Sequence, residues 1–302
     1  MTRSLNDVQA DVLVLGALGR LARHGLLDRP APVADSVAAA CQRLLIAAGL
    51  LAPDPVRPTE SLAAVLPPGV PLGTLGGYVT ATLRLATELS TGATTWSPDE
   101  PEVIRFFGQV SGVAVTRVLA QLLTDVPGFP DRLDRPGAAF LDIGAGAAGI
   151  SIELCRRHPG LAAVGLDINP LAVRVARDAV TNAGLDDRIE VREQSVTDVD
   201  ENDAYDLIWV PQPFLPPAVL AAALPRLHRS ARPGAILVMG LAAAPGDAVP
   251  GAAADVEYLL LGGGGMAPAD ATDLLTGAGF VDVRAVTRFP APLMVARRAG
   301  QD

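Results

Sequence analysis

The sequence predicts an α/β fold, with a mostly parallel sheet covered by helices on both faces and a helical domain in front of it. Three observations carry this. From Ala138 onward, short apolar runs of strand type alternate with segments of helical periodicity, the order expected of parallel strands joined by crossing helices. The run Phe140-Leu141-Asp142-Ile143 ends in Gly144-Ala145-Gly146-Ala147-Ala148-Gly149 and passes straight into a helical segment, and the next run, Gly165-Leu166-Asp167, ends in an acid. The first hundred residues instead carry apolar side chains at helical spacing, broken by Pro and Gly.

In the N-terminal part, Val8, Val12, Leu15 and Leu18 mark one helix, and Val37, Cys41, Leu44, Leu45 and Ala48 mark a second, which Gly49 closes. The Pro-rich stretch Ala52-Pro53-Asp54-Pro55-Val56-Arg57-Pro58 reads as a hinge or short wing. Thr59 follows as an N-cap for a helix from Glu60 to Leu66. This succession resembles a winged-helix fold, which implies a dimerisation and substrate-covering module or a DNA-binding one. The helix that would enter a groove carries Arg43 as its only cation, so DNA contact is not expected. A helical linker (75–89), a loop (90–99) and a further helix (101–123) complete this half. The domains are placed at 1–100 and 101–302.

The second half reads as strand 138–143, helix 149–158, strand 162–167, helix 170–183, strand 188–193, strand 205–210, helix 217–229 and strand 234–240. Asn169 as N-cap, Pro170 in the first turn and Gly184 beyond the end are consistent helix signals. Residues 242–266, rich in Ala, Pro and Gly, are an insertion of the length usually found in a lid or a disordered tip. Two more strand-like runs, Phe280 to Val286 and Pro292 to Ala296, follow Leu274-Leu275-Thr276-Gly277-Ala278-Gly279.

Composition narrows the classes. A chain of 302 residues holds one large domain or two modest ones. Half of the residues are apolar, yet no uninterrupted apolar run reaches membrane-spanning length. The start, Met1-Thr2-Arg3-Ser4-Leu5, lacks the layout of a secretion signal. Cys41 and Cys155 both fall inside helical patterns, favouring buried free thiols and a cytoplasmic setting. The net charge is −9 and the basic residues, all arginine, are scattered, so neither nucleic acid nor a membrane is an expected partner.

The glycine loop and the following acid suit a nucleoside ligand: glycines admit the backbone close to it, and the acid takes the ribose hydroxyls. Asp142 lies two residues before Gly144, where a pyrophosphate-binding loop has a small apolar residue. An acid there suits a ligand carrying an ammonium group. With the Ala-Gly-Phe step into two final strands, these residues resemble the class I S-adenosylmethionine-dependent methyltransferases over roughly residues 138–241. The resemblance implies a Rossmann-like seven-stranded sheet whose last two strands form an antiparallel hairpin. The N-terminal part is similar to that of two-domain small-molecule O-methyltransferases from bacterial natural-product pathways.

The resemblance also implies site residues. Gly144, Ala145 and Gly146 leave room for the methionine tail, with Asp142 the anion for its ammonium. Asp167, eighteen residues after Gly149 and so near the usual interval of about twenty, accepts the ribose diol. Ile168 packs on adenine. Where the family commonly has Gly-Asp after the third strand, this chain has Gln194-Ser195-Val196, with Asp198 beyond. The adenine amino group is therefore assigned to Ser195, Val196 or Asp198. Pro211 ends the fourth strand, where amide methyltransferases have Asn, so that chemistry is not expected.

O-methyltransferase relatives carry a histidine base after the fourth strand, and none is present here. His24, His158 and His228 each fall at an apparent helix C-terminus, where a cation meets the negative end of the dipole. Glu88, Gln212, Glu257 and Tyr258 are the other candidates, and Gln212 and Tyr258 are assigned to acceptor positioning. Trp96, Phe106, Phe107, Trp209 and Phe214 are assigned to an apolar acceptor cavity. No metal-ligand cluster is visible. The expected function is methylation of a small, partly apolar metabolite by S-adenosylmethionine, giving S-adenosylhomocysteine, in a homodimer. The alternatives are a non-methylating enzyme of this fold, of pericyclase or decarboxylase type, and a DNA-binding regulator with a degenerate ligand domain.

Overall fold

A computed structural model describes residues 4–29, 36–126, 128–242, 249–287 and 292–300. Helix α1 (Leu5–Arg23) opens with a capping box, in which Asp7 N–H donates to Ser4 Oγ and the Asp7 carboxylate accepts from Ser4 N–H. Helix α2 (Ser36–Ala47) packs on it. Of the two readings of the Pro-rich stretch, the short wing holds: β1 (Leu51–Pro53) pairs antiparallel with β2 (Val56–Pro58) as a β-hairpin. Thr59 caps α3 (Glu60–Ala63) as its sequence suggests. That helix stops before Leu66 because Pro67 and Pro68 follow, and a residue preceding proline is pushed out of helical geometry.

Helix α4 (Leu75–Ser90) leads to α5 (Pro101–Leu123). Leu18, Leu21, Leu45, Leu62, Leu75, Val79 and Phe106 form the N-terminal core. Phe106 therefore comes from the far side of the boundary drawn at residue 100. Farther along α5, Leu119, Leu122 and Leu123 enter the core of the sheet. Alone among the described helices, α5 is long and apolar enough to cross a membrane; its apolar side chains serve these two interiors.

After α6 (Phe129–Leu133), β3 (Ala138–Ile143), α7 (Gly149–Arg157), β4 (Leu161–Asp167), α8 (Pro170–Ala183) and β5 (Ile189–Glu193) alternate as predicted. They are followed by β6 (Tyr205–Pro211), α9 (Pro217–Ser230) and β7 (Ala231–Gly240). The insertion contains a helix, α10 (Val249–Leu260); its stretch 243–248 lies outside the described residues. Helix α11 (Pro268–Gly277) and the strands β8 (Val281–Val286) and β9 (Leu293–Arg297) close the fold.

The sheet has seven strands in the order β5-β4-β3-β6-β7-β9-β8. β9 runs antiparallel to both β7 and β8, and the remaining pairs are parallel. The order reverses direction at β3, so the crevice beyond the ends of β3, β4 and β6 is the place where such sheets bind ligands. At the opposite end, buried Asp206 accepts from Arg132 Nε at 2.7 Å, Arg232 Nη1 at 2.5 Å and Ala139 N at 3.0 Å.

Helix α5 lies unusually close to α7. A Cβ on Gly149 would sit 2.7 Å from the Gly108 carbonyl carbon and nearer still to its oxygen, and one on Gly112 would sit 2.9 Å from Gly149 O. Gly149 is thus required by the packing of α5 onto the start of α7.

Candidate active site

The glycine loop between β3 and α7 turns through left-handed backbone at Gly144 (φ 63°) and Gly146 (φ 57°), a conformation that glycine adopts without steric cost. Its inner side is held by Ala145 N donating to Leu166 O at 2.9 Å. Gly165 makes this possible, since a Cβ there would lie 2.9 Å from Ala145 Cβ. The outer side is open. A Cβ on Gly144 would touch only Pro211 Cγ at 3.4 Å, and one on Gly146 would approach only Gly144 O at 4.0 Å.

Asp167 ties this loop to the end of β4. Its carboxylate accepts from Gly146 N–H and from Asn169 N–H, both at 2.9 Å. Burial pushes its pKa up despite these bonds. One donor on each oxygen leaves lone pairs available for two hydroxyl donors. Next to it, Ile168 is 75% exposed, a large apolar side chain presented at the crevice.

Asp142 lies below the loop, only 1% exposed. Oδ2 accepts from Ser151 Oγ at 2.7 Å, while Oδ1 is buried without a partner among the described residues. Burial raises its pKa to about 7, against the opposing effect of the Ser151 hydroxyl and backbone N–H, and nearby Asp167 raises it further.

After β5, Ser195 bonds Thr197 N–H and the Thr197 hydroxyl, so its oxygen is already engaged. Val196 is buried in the core on the α9 side of the sheet, and Asp198 is exposed. Of these three, Ser195 alone is half-buried at the strand end.

Gln212 is fully buried rather than open to an acceptor. Its amide Nε2 donates to Gly263 O at 3.2 Å and Gly264 O at 3.1 Å, and Gly263 N–H donates to Pro213 O at 3.1 Å. It therefore fixes the glycine-rich segment after α10 against the end of β6. Tyr258 lies half-buried on α10, with Glu257 beside it, a carboxyl whose pKa burial raises. Leu260 O accepts from Trp96 N–H at 2.7 Å, and Asn169 Nδ2 donates to Pro98 O at 2.8 Å. Loop 94–99 is thus clamped between α10 and the end of β4.

The five aromatic residues divide. Trp96 lines a small cavity of about 220 Å³ with Arg84, Glu88 and Asp99, and Phe214 is 45% exposed beyond β6. Phe106 belongs instead to the N-terminal core, its ring tilted against Tyr78 and edge-on to Phe107, and Phe107 packs against the same core. Trp209 fills the sheet core over Gly240, where a Cβ would lie 2.8 Å from its ring. Core volume claimed these rings, as it does most large apolar side chains.

Sequence reasoning missed the clamping roles of Asn169, Gly263 and Gly264; the run Gly262-Gly263-Gly264-Gly265 was the visible signal for the two glycines, while Asn169 was read only as an N-cap. The histidines stand at helix ends as expected: His24 caps α1, His158 caps α7 and bonds Asp134 at 2.7 Å, and His228 meets Phe280 edge to face. A larger cavity of about 800 Å³ is bounded by α5, α7, α8, residues 69–71 and Ala147 of the glycine loop.

Comparison with known proteins agrees with this geometry. Residues 140–234 match the family model described as Methyltransferase domain. A methyltransferase named ungE' from Aspergillus campestris is 34% identical over 106 residues, covering 33% of this chain and 31% of that protein. The chain spans between 11% and 40% of the length of the curated relatives it matches. Among solved structures, an O-methyltransferase family protein from Burkholderia thailandensis superposes with a TM-score of 0.71 at 15% identity, covering all of both chains. Human N-acetylserotonin methyltransferase, solved with S-adenosylmethionine, gives 0.71 at 18% identity, covering 98% of this chain and 97% of that one. The chain has the class I methyltransferase fold, with an N-terminal helical region. Within it, residues 140–234 are the stretch that resembles the methyltransferase domain model.

Proposed function

We propose that the protein is an S-adenosylmethionine-dependent methyltransferase acting on a small, partly apolar molecule, with an oxygen acceptor the most natural class. The observation that carries this is the Asp167 carboxylate bonded to Gly146 N–H beneath an open glycine loop, within a matched methyltransferase domain. Asp167 would hold the ribose hydroxyls, Ile168 would cover one face of the adenine, and Gly144 to Gly146 would leave space for the amino-acid tail near Asp142. Of the three residues after β5, Ser195 is half-buried at the strand end, and when its hydroxyl donates to Thr197 Oγ1 a second lone pair would remain for the adenine amino group. When bound, S-adenosylmethionine supplies an electrophilic methyl group.

On the acceptor side, Trp96, Phe214 and Tyr258 offer apolar walls, and the buried Gln212 amide positions the segment that shapes them. No histidine lies between the end of β6 and the start of α9. The chain's contribution is chiefly to hold donor and acceptor at near-attack distance. That suits an acceptor that ionises readily better than an unactivated alcohol. The same lack of a histidine favours, as a second reading, a non-methylating reaction in this fold.

The N-terminal region, 1–100, serves in this reading as a substrate-covering and dimerisation module. Val8, Val12 and Leu13 on α1 are exposed, an apolar patch of the kind that marks a partner surface. Cys41 and Cys155 are free thiols, in keeping with a cytoplasmic setting.

Calorimetry with S-adenosylhomocysteine and with NADH tests the cofactor. Binding of the first and not the second is expected, and the reverse overturns the reading. A gain of one methyl mass on an acceptor separates methyl transfer from the second reading.

A further inference from the structure

The site holds a buried acid with no ion-pair partner. Asp142 sits where β3 gives way to the glycine loop, and its side chain is bonded on one oxygen to Ser151 of α7. Oδ2 is satisfied by the Ser151 hydroxyl and Oδ1 has no hydrogen-bond partner among the described residues. Its neighbours supply no positive charge. On β4, Asp167 is a second carboxylate that opposes ionisation. On α7, besides Ser151, Cys155 is a thiol that burial keeps neutral by raising its pKa to about 11. On the other side, β6 presents Trp209 across from Asp142 in the sheet register. Arg188 reaches the backbone carbonyls of Cys155, His158, Pro159 and Leu161 and not the acid. A carboxylate in such surroundings pays a desolvation penalty that only a cation or a proton relieves.

We propose that Asp142 carries a proton while the strand-end site is empty and releases it to solvent when a ligand's ammonium group seats over the glycine loop, so that donor binding and proton release are one event. The inference rests on the cofactor reading above. In the empty protein the carboxylic acid O–H can lie on Oδ1, leaving Oδ2 to accept from Ser151. The arriving ammonium supplies the missing positive charge, and the O–H proton leaves to buffer. Selection for the amino-acid end of the ligand follows, because a nucleoside without an ammonium group offers nothing in exchange. The supporting titration lies in range: the acid is half-ionised near pH 7 in the empty protein.

The test is calorimetry of the full-length protein at pH 6, in two buffers of different ionisation enthalpy, with two probes. S-adenosylhomocysteine carries the ammonium and 5′-deoxy-5′-methylthioadenosine does not. We expect close to one proton released with the first probe and none with the second. For a free-state pKa near 7 and a much lower bound-state value, S-adenosylhomocysteine affinity should fall about tenfold from pH 8 to pH 6 by linkage. Asp142→Asn should abolish both effects. Ser151→Ala, which leaves the acid in place, should keep the proton release, shifted to higher pH, and covers the case in which the first variant does not fold. S-adenosylhomocysteine binding with no proton release, or with the same release in Asp142→Asn, overturns the proposal and leaves the cofactor reading standing. No binding of S-adenosylhomocysteine at all overturns both.

Discussion

Adding one methyl group at Gly149 should damage both the stability and the ligand site of this protein. The backbone there is not left-handed, so alanine is tolerated by the torsion angles, and the obstacle is contact alone. The new Cβ would lie 2.7 Å from the Gly108 carbonyl carbon, with the carbonyl oxygen closer. Carbon atoms pack at roughly 3.5–4.0 Å, so α5 and α7 must separate by on the order of 1 Å. The helices are also close one turn along, where a Cβ on Gly112 would meet Gly149 O at 2.9 Å, so tilting gives little relief. Overpacking of this kind costs about 1–3 kcal/mol, a drop in Tm of about 2–5 °C for a chain of this size. Displacing α7 also moves the loop that bonds Asp167, so S-adenosylhomocysteine affinity should fall by about tenfold or more, since 1 Å misplacements have effects of that order. Thermal unfolding followed by circular dichroism and calorimetric titration read the two effects. Gly16→Ala on α1 is the control: nothing lies within 4 Å of its new Cβ, and it should gain about 0.5–1 kcal/mol. A Gly149→Ala protein with the parent's Tm and affinity would refute the reasoning.

Other perturbations should separate ligand contacts from scaffold. Asp167→Ala should weaken S-adenosylhomocysteine binding by about 1.5–3 kcal/mol, the range for hydrogen bonds to a charged group; unchanged affinity in titration places the site elsewhere. Asp206→Ala leaves Arg132 and Arg232 without their shared carboxylate, and urea unfolding should show a loss of about 3–5 kcal/mol. The Asp142 pKa is raised on folding, so its contribution to the stability of the empty protein is fully present below the unfolded-state value and is lost as pH rises to about 7. Chemical unfolding at pH 5 and pH 8 should show this loss in the parent and not in Asp142→Asn. His228→Ala should lower Tm through lost packing on Phe280 while leaving S-adenosylhomocysteine affinity intact, and a large affinity loss would place that ring in the ligand site.

The sheet was legible because each strand is a short apolar run bounded by a turn signal, and because Asn169, Pro170 and Gly184 mark α8 without ambiguity. The glycine loop and the strand-end acid it bonds were equally open to reading, since both are local patterns. The acceptor end was not. Phe106 and Trp209 look like cavity residues in a sequence so poor in aromatics, yet helix and strand geometry turn them into two different cores. Gln212 looks like a polar contact for a substrate, but its partners lie some fifty residues on, at Gly263 and Gly264. Long-range pairings of that kind have no signature within a sequence window. The Pro-rich stretch at 52–58 left a hinge and a short wing both open, because a tight hairpin and a hinge share the same turn residues, and the structure has the hairpin.

The clamp on loop 94–99 has a consequence for how such a protein diversifies. One end of the loop is held by Asn169, at the donor side, and the other by the backbone of Leu260, in the insertion after β7. The acceptor chamber proposed above would therefore be assembled from three stretches far apart in the chain, none of which supplies the glycine loop or Asp167. Main-chain atoms make up most of the clamp, so residues such as Trp96, Phe214 and Tyr258 can be exchanged without dismantling it. Acceptor preference can drift by ordinary point substitution while the donor end stays fixed.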